Sequence, residues 1–507
     1  MEEMNGIAQR TLAGMALLWL AALGAGGAGT RQLAAQAPGL AGSYPGINLA
    51  NIPTPLPAAP SPAAVAGSPS RYQGSVPAGE ATGEVLQLSL ADALERGLRA
   101  NLGVLDKSLD SQVAQAERQR ALSNLLPQLT GSVRHQTAEL SLVTFGFKLP
   151  GFPEVIGPFS YQDARLTLTD QLFNVQSLYN FRSARESARA AELSMADARD
   201  LVVVVIGAAY YQVTASAARL ETAQAQHQAS QSLEGLAQDQ VRNGLTPSID
   251  GFRATVQRQT DDQRVAIDEA TLEKDKLTLG RLIGLPAGQR FAVTTPVPYV
   301  PWSGPTEEQA LQAAYQRSDL KSAEAAVRAA ELARDAAAAE RLPSLSVSGD
   351  YGRVGKNLGS TDGTYTLIAG VSVPIYEGGR IHAEVTRADA TLARKRADYA
   401  DLKGRVEYEV RSNFLDLRAV ETSVGVARSN VDLAERTLAA AQDRFANGVT
   451  NNLEVVLAEQ ELAAAHENYI ASLFAHNFTK LQLLRAMGQV EQGIKQFLSG
   501  QAPGGPK

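Results

Sequence analysis

Two stretches of the chain carry the apolar pattern of very long helices, and each is followed by a shorter helical stretch. They run from about Asn174 to Arg242 and from about Gly378 to Ala446. Roughly 70 residues at 1.5 Å per residue give a length of about 100 Å. Apolar residues recur in alternating steps of three and four, which is the spacing of a coiled-coil seam. The predicted seam positions are Phe181, Ala184, Ala188, Ala191, Met195, Ala198, Val202, Val205 and Ala209, then Leu417, Val420, Val424, Ala427, Val431, Ala434 and Leu438.

Four shorter stretches alternate apolar and polar residues with a period of two, which predicts β-strands. The first follows Pro127, the second leads into Phe173, the third follows Pro343, and the fourth ends near Ile375. The apolar positions are Leu129, Gly131 and Val133; Ala164, Leu166, Leu168 and Leu172; Leu345, Val347 and Tyr351; Tyr365, Leu367, Ala369, Val371, Val373 and Ile375. The fold class is therefore mainly α with four strands.

A short turn separates each long helix from the shorter helix that follows it. The two turns are Asn243-Gly244-Leu245-Thr246 and Asn447-Gly448-Val449-Thr450. Glycine tolerates positive φ at a helix end, and threonine offers a side-chain cap to the next helix. In the first turn Pro247 is predicted at the first helical position. The chain should thus form two helical hairpins with similar tips.

The hairpins and strands occur in the same order twice, at a nearly constant spacing of about 204 residues from Phe173 to Gly284. Such a constant register predicts an internal duplication. Each copy is a helix-strand-strand-helix unit. The predicted segments are a signal peptide (1–37), a Pro/Ala/Gly-rich disordered linker (38–85), the first unit (86–286), a connector (287–305), the second unit (306–489) and a tail (490–507).

The N-terminus has the composition of an export signal. Arg10 precedes an apolar run from Leu12 to Leu23, and Ala35-Gln36-Ala37 is a candidate cleavage site. The alternative is a buried N-terminal helix. No later run of about 18 apolar residues is present, so we expect no transmembrane helix in the mature chain. Export then places the protein in the periplasm, the outer membrane or the exterior.

Composition narrows the function further. The net charge is −6 without a basic run, which argues against nucleic acid as a partner. With no cysteine, the chain has no disulfides, thiol catalysis or cysteine-ligated zinc, and its five histidines lack metal-ligand spacing. The glycines from Gly24 to Gly29 lie in the signal segment, so they form no dinucleotide loop and no cofactor is expected. Asp261 and Asp262 are predicted to be solvated helix surface, and nothing supports an enzyme.

The strands have the nine to eleven residues that a tilted membrane strand needs, with apolar residues outward and polar residues inward. Four strands cannot close a barrel, and lipid does not tolerate open sheet edges. A membrane location would therefore require several copies of the chain. The alternatives are an ordinary half-exposed sheet and, for the helices alone, a soluble fibrous coiled coil.

In this order the features resemble the TolC family of outer-membrane efflux proteins, from about Leu86 to Gly488. The resemblance is carried by the motifs Arg242 to Asp250 and Phe445 to Glu454, by the Leu-Pro steps, and by the strand-to-helix junction Val373 to Gly379. It implies a homotrimer whose strands form one β-barrel in outer-membrane lipid, continued by a periplasmic α-barrel. It also implies a periplasmic adaptor (membrane fusion protein) and an inner-membrane pump of the RND or ABC type.

The resemblance places the channel entrance at the hairpin tips. Asp250 lies where the family's archetype has a gate aspartate, and Glu454 where it has another pore acid. Thr450 replaces the archetype's gate arginine, and Leu457 replaces a further aspartate, so the family's ionic latch is absent in that form.

Two roles are predicted for the tips. By threefold symmetry, Asp250 and Glu454 would form carboxylate rings that favour cations; alternatively, they only stabilise a helix N-terminus. Asn243, Gly244, Leu245, Thr246, Asn447, Gly448 and Val449 would contact the adaptor, because small residues admit a partner backbone.

Three functions remain open from the sequence. The first is the exit duct of a tripartite efflux system for small molecules or metals. The second is a duct of the same family for type I protein or peptide secretion. The third, from another class, is a secreted coiled-coil structural protein.

Overall fold

The structure is a computed structural model. It describes residues 72–146, 151, 153–294, 299–357, 359–450 and 452–493. The predicted signal peptide and the first part of the predicted linker lie outside these residues.

Within the described residues, the two halves of the chain contain the same elements in the same order. In the first half these are β1 (Leu86–Leu88), α1 (Leu90–Ala100), α2 (Leu102–Ser123), β2 (Gln128–Ser141), β3 (Val155–Phe173), α3 (Val175–Arg242) and α4 (Ser248–Leu282). The second half contains β4 (Phe291–Val293), α5 (Glu307–Ala314), α6 (Ser318–Ala339), β5 (Ser344–Asn357), β6 (Ser360–Ser372), α7 (Arg380–Ala446) and α8 (Asn452–Ala486). A single turn, α9 (Val490–Gly493), follows.

The two long helices predicted from the heptad pattern are confirmed. α3 has 68 residues and α7 has 67, and each extends about 100 Å at 1.5 Å per residue. The helices that follow them, α4 and α8, have 35 residues each. Many predicted seam residues are buried: Ala188, Ala198, Val202, Val205, Ala209, Leu417, Val424, Ala427 and Val431.

α3 is the central helix of the main core. It contacts α1, α2, α4, α6 and α8, and its residues 202–211 are all buried. One 18-residue window of α3 has a mean hydropathy of 1.7, enough by length and composition to cross a membrane, and 72% of that window is buried in the protein. Packing against neighbouring helices accounts for this apolar stretch. A separate small core near the hairpin tips contains Leu233, Ala441, Phe445, Val455 and Ala458.

The four predicted strands form one antiparallel sheet in the order β2-β3-β5-β6. The pairing register places Gly131 opposite Leu166, Leu166 opposite Tyr351, and Tyr351 opposite Tyr365. The fourth strand is shorter than predicted: β6 ends at Ser372, and Val373 and Ile375 lie beyond it. Pro374 has no N–H to donate to a ladder, which explains why pairing stops there.

Two segments outside the two predicted units differ from expectation. Residues 72–85 were assigned to a disordered linker, but Val76 N–H donates to the Ala100 carbonyl (2.9 Å) and Ala78 N–H to the Gly284 carbonyl (3.1 Å). The disorder prediction is wrong for this part, because composition alone gives no sign of these long-range hydrogen bonds. The connector contains β4, which pairs in parallel with β1 and was not predicted.

A buried ionic cluster joins the two halves beside the main core. Arg317 is 4% exposed and binds Asp319 (Nη2 to Oδ2, 2.7 Å) and Glu409 (Nη1 to Oε2, 2.7 Å). Arg485 on α8 pairs with Asp197 on α3. Burial raises the pKa of the neighbouring Asp200 to about 6. These ion pairs link α6 to α7 and α3 to α8 beside the main core.

Candidate functional site

The hairpin tips are two copies of one turn. In the first, Gly244 N–H donates to the Val241 carbonyl (3.0 Å) and Leu245 N–H to the Gln240 carbonyl (2.9 Å). In the second, the equivalent bonds from Gly448 and Val449 measure 3.0 Å and 2.8 Å. This pair of bonds is the Schellman motif, and φ is +70° at both glycines, which an L side chain rarely adopts.

The predicted threonine caps are not formed. Pro247 is the N-cap of α4, one residue before its predicted position, because its extended ψ of 147° keeps it outside the helix. The Thr246 hydroxyl is buried and has no hydrogen-bond partner within the described part of the chain. Thr450 donates its hydroxyl hydrogen to the Glu454 carboxylate rather than accepting from a backbone N–H.

The tip backbones are open to a partner. A Cβ built at Gly244 or Gly448 meets no atom within 4 Å. The neighbouring Leu245 and Val449 are 73% and 67% exposed. Each tip therefore presents an exposed apolar side chain beside a glycine with open space around it.

Asp250 and Glu454 are each the third residue of their helices, α4 and α8, but their surroundings differ. Asp250 is 3% exposed, and Arg253 Nη1 lies 3.3 Å from its Oδ1. The carboxylate therefore points into the protein, between the two hairpins. In this arrangement the predicted pore acid Asp250 is shielded from solvent.

Glu454 faces a more open environment. Its side chain is 39% exposed, and Arg444 Nη1 on α7 lies 3.0 Å from Oε1. The Thr450 hydroxyl donates to the other carboxylate oxygen, Oε2. Glu454 is thus held by two partners at the tip and still contacts solvent.

A hydrogen bond links the two hairpins at their tips. The Asn452 side-chain Nδ2 donates to the Asp250 backbone carbonyl over 3.2 Å, and Asn452 is fully buried. Sequence reasoning missed Asn452 and Arg444. Both lie within three residues of the second turn, Asn447 to Thr450. Only the fold shows that Arg444 contacts Glu454 across this turn and that Asn452 contacts the first hairpin.

The sheet has one polar and one apolar face. On the polar face, Arg165 pairs with Asp163 (Nε to Oδ2, 3.3 Å) and with Asp350 on the adjacent strand. The opposite face exposes large apolar side chains that no other described residue covers. Its most exposed members are Leu129 (68%), Val133 (81%), Leu166 (56%), Tyr351 (62%), Tyr365 (80%), Leu367 (74%) and Val371 (67%). An exposed apolar surface of this extent indicates contact with lipid or another chain.

A cavity of about 630 Å³ lies between the two hairpins, above the tips, and includes Asp261 and Glu459 in its lining. Asp261 is 7% exposed, so the prediction that it is solvated surface is wrong. Asp261 faces the second hairpin. The sequence of α4 alone cannot show this contact. Asp262 does reach the surface and pairs with Arg258 (Nη1 to Oδ2, 2.5 Å). Among the described residues, no group of three or more His, Cys, Asp or Glu side chains is arranged to hold a metal.

Comparison with known proteins gives a family match. The family model described as outer membrane efflux protein matches residues 95–285 and 310–489, most of the described chain. The chain is 22% identical over 320 residues to the pyoverdine export outer membrane protein OpmQ of Pseudomonas putida, covering 61% of this chain and 67% of that protein.

Two further similarities agree with the family match. The chain is 24% identical over 367 residues to the alkaline protease secretion protein AprF of Pseudomonas aeruginosa, covering 67% of this chain and 73% of that one. The crystal structure of the Campylobacter jejuni CmeC outer membrane channel superposes with a TM-score of 0.71 at 15% identity, covering 85% of this chain and 93% of that one. At this identity the structural match shows a shared fold.

Proposed function

The chain belongs to the outer membrane efflux protein family, and we propose that three copies of it form the exit duct of a tripartite efflux system. Membership makes it a channel protein of the outer membrane that extends into the periplasm. The main support for this proposal is the sheet. It has four strands, an apolar, exposed face and, among the described strands, two unpaired edges.

The edges of the sheet support assembly of several copies into one barrel. β2 and β6 each pair with one neighbour among the described strands, so each leaves a row of backbone N–H and C=O groups free. Such groups are not tolerated in lipid, where closed barrels satisfy them all. Pairing β6 of one copy with β2 of the next closes a barrel. Three copies give twelve strands, within the range of known outer-membrane barrels.

The apolar face is then the lipid-facing surface. Tyr351 and Tyr365 pair across strands at one end of the apolar stretch, Phe173 lies exposed at the other end, and Tyr376 is exposed just beyond β6. Aromatic residues at both ends of an apolar band are typical of a barrel at its two membrane interfaces. The polar face, with Arg165 and its two carboxylate partners, lines the interior.

The hairpins form the periplasmic part of the duct. We place α3, α4, α7 and α8 of three copies side by side as an α-barrel. The matching order and lengths of the elements in the two halves support an internal duplication, which lets two hairpins of one chain occupy equivalent places in this barrel.

The tips are the entrance and the adaptor contact. Open space at Gly244 and Gly448, together with exposed Leu245 and Val449, supports adaptor docking. The exposed Glu454 carboxylate supports a ring of three acids at the pore. Asp250 joins such a ring only if the tips rearrange so that its buried carboxylate reaches the pore.

Transport through the duct is passive. In this proposal the driving force comes from an inner-membrane pump that acts through the adaptor. The proposed cargo class is small molecules or metals. The similarity to AprF favours a second candidate, the channel of a type I secretion system. Co-purification separates the two, because the pump and adaptor bound to the tips differ.

Cysteine crosslinking tests the trimer. The natural chain has no cysteine, so every crosslink reports introduced residues. Val133→Cys on β2 is combined in turn with Cys at Leu367, Ala369 and Val371 on β6, which lie on the same face of the sheet. We expect at least one pair to give a covalent ladder that ends at three chains. As a control, Val133→Cys is paired with Cys at Thr260, on the far hairpin. A ladder that runs past three, or no crosslink at any register, contradicts the proposal.

A further inference from the structure

The cavity between the hairpins has a wall from each of four helices. Ala225 on α3, Leu438 on α7 and Leu462 on α8 contribute apolar surface, while Asp261 on α4 and Glu459 on α8 contribute carboxylates. A volume of about 630 Å³ is in the range of small-molecule sites, which are mainly apolar with a few placed polar groups. The cavity thus combines an apolar body with an acidic wall.

The Glu459 carboxylate is unsatisfied. Neither of its oxygens is accessible to solvent or has a hydrogen-bond partner within the described residues. The Gln226 side-chain Nε2, which belongs to the same cavity lining, also lacks a partner. A buried polar group without a partner is costly, and a buried charge more so. A ligand that supplies positive charge removes this cost.

The charge balance of the cavity favours a cation. Asp261 accepts a hydrogen bond from Gln257 Nε2 (3.2 Å). Because this amide is neutral, it does not compensate the negative charge of Asp261. The other titratable groups in the lining are Glu221 on α3, Arg264 on α4, and His466 and Glu467 on α8; α7 contributes only Leu438. Glu467 is paired with Arg219 outside the lining (2.9 Å), and Arg264 lies 4.0 Å from Asp268. The net charge of the wall is negative.

We propose that this cavity binds an apolar organic cation, a protonated amine or quaternary ammonium, between Glu459 and Asp261. A dehydrated metal ion fits less well, because metal sites have three or more ligands close together and the described residues contain no such cluster. The inference rests on the proposed efflux function for the source of the ligand, since a pump that exports such molecules would bring them past these hairpins.

The site depends on pH through Glu459. Burial, followed by the charge of Asp261, raises the pKa of Glu459 to about 7. Above that pH the carboxylate is charged and attracts the cation; below it the carboxylate is neutral and the attraction is lost. Cation affinity should therefore rise between pH 6 and pH 8.

The test measures ethidium binding to the purified, detergent-solubilised protein by fluorescence polarisation at pH 8. We expect Glu459→Gln to weaken binding about tenfold, the effect of losing one charged hydrogen bond. Glu461→Gln, at an exposed acid two residues along the same helix, should leave the affinity unchanged. Glu459→Asp keeps the charge and should recover part of the affinity.

Several results overturn the inference. Equal affinity in the wild type and Glu459→Gln excludes the site, as does an equal loss in Glu461→Gln. Displacement of ethidium by submillimolar Mg²⁺ would assign the cavity to inorganic ions. Trimer formation and conductance are measured on the same samples. If they are normal while ethidium binding is absent, only this inference fails; if they fail in the wild type, the proposed function fails.

Discussion

Arg444 Nη1 lies 3.0 Å from Glu454 Oε1, so an arginine near the end of one long helix neutralises the candidate pore acid on the helix that follows it. The resemblance to the TolC family predicts that Thr450 replaces the archetype's gate arginine. The structure shows that Arg444, six residues before Thr450, pairs with Glu454. This pair keeps one carboxylate of the entrance fixed while leaving it partly exposed.

Neutralising Glu454 should reduce cation selectivity. In a planar bilayer, Glu454→Gln should lower the cation-to-anion permeability ratio severalfold, because a ring of three charges at the entrance is lost. Arg444→Gln should change the ratio in the opposite direction by freeing the carboxylate. Asp250→Asn should have a smaller effect on the ratio, since Asp250 is buried. An unchanged ratio in the Glu454→Gln and Asp250→Asn double variant would refute the pore role.

Removing the bond between the hairpins should loosen the entrance. Asn452→Ala deletes the donor to the Asp250 carbonyl, a hydrogen bond that contributes about 0.5–1.5 kcal/mol. If that bond opposes opening, the open fraction rises roughly 2- to 10-fold, measured as resting conductance without an adaptor. Asn430→Ala, at an exposed position on α7, is the control and should behave as the wild type. Equal conductance in both variants would show that Asn452 does not hold the tips.

Enlarging the second tip should block efflux. Gly448→Arg places a long charged side chain where the structure has open space, so adaptor docking should fail and export in cells should fall to the level of a deletion strain. Gly448→Asn tolerates the positive φ and separates backbone strain from bulk. Gly425→Arg, on the exposed surface of α7, controls for the added charge. Normal export by an assembled Gly448→Arg trimer would exclude docking at this tip.

Adjacent residues of β6 should respond in opposite ways to the same change. Leu367 lies on the apolar face, where an arginine costs about 2–4 kcal/mol near the bilayer midplane. Thr366 lies on the polar face, opposite Asp350, where an arginine is compatible with water. We expect Leu367→Arg to reduce the yield of protein in isolated outer membranes and Thr366→Arg to leave it near normal. If both variants are equally abundant, the assignment of the two faces is wrong.

Much of the fold could be predicted from the sequence because its signals are periodic. Heptad spacing over nearly 70 residues specifies a long helix, and strict alternation specifies a strand with two faces. The end of β6 was missed by three residues because alternation continues past Pro374, where pairing cannot. The Pro-rich composition before β1 likewise suggested disorder, although residues 72–85 bond to residues far along the chain.

The candidate site was predicted less completely. The turns were predicted correctly because Asn-Gly is a local signal. The threonine caps were predicted wrongly, since Thr450 bonds to Glu454 and Pro247 takes the N-cap position. Contacts between hairpins, such as Asn452 with Asp250 and Asp261 facing Glu459, join residues about 200 positions apart. No local pattern encodes them, and they appear only when the helices are packed.

The most direct test of the account is the mass of the protein extracted from isolated outer membranes, measured with the detergent contribution subtracted. One chain weighs 53.7 kDa before any processing, and we expect a species of about three chains that needs detergent for release. A monomer or dimer released without detergent would contradict the account, because the exposed apolar face would then not meet lipid.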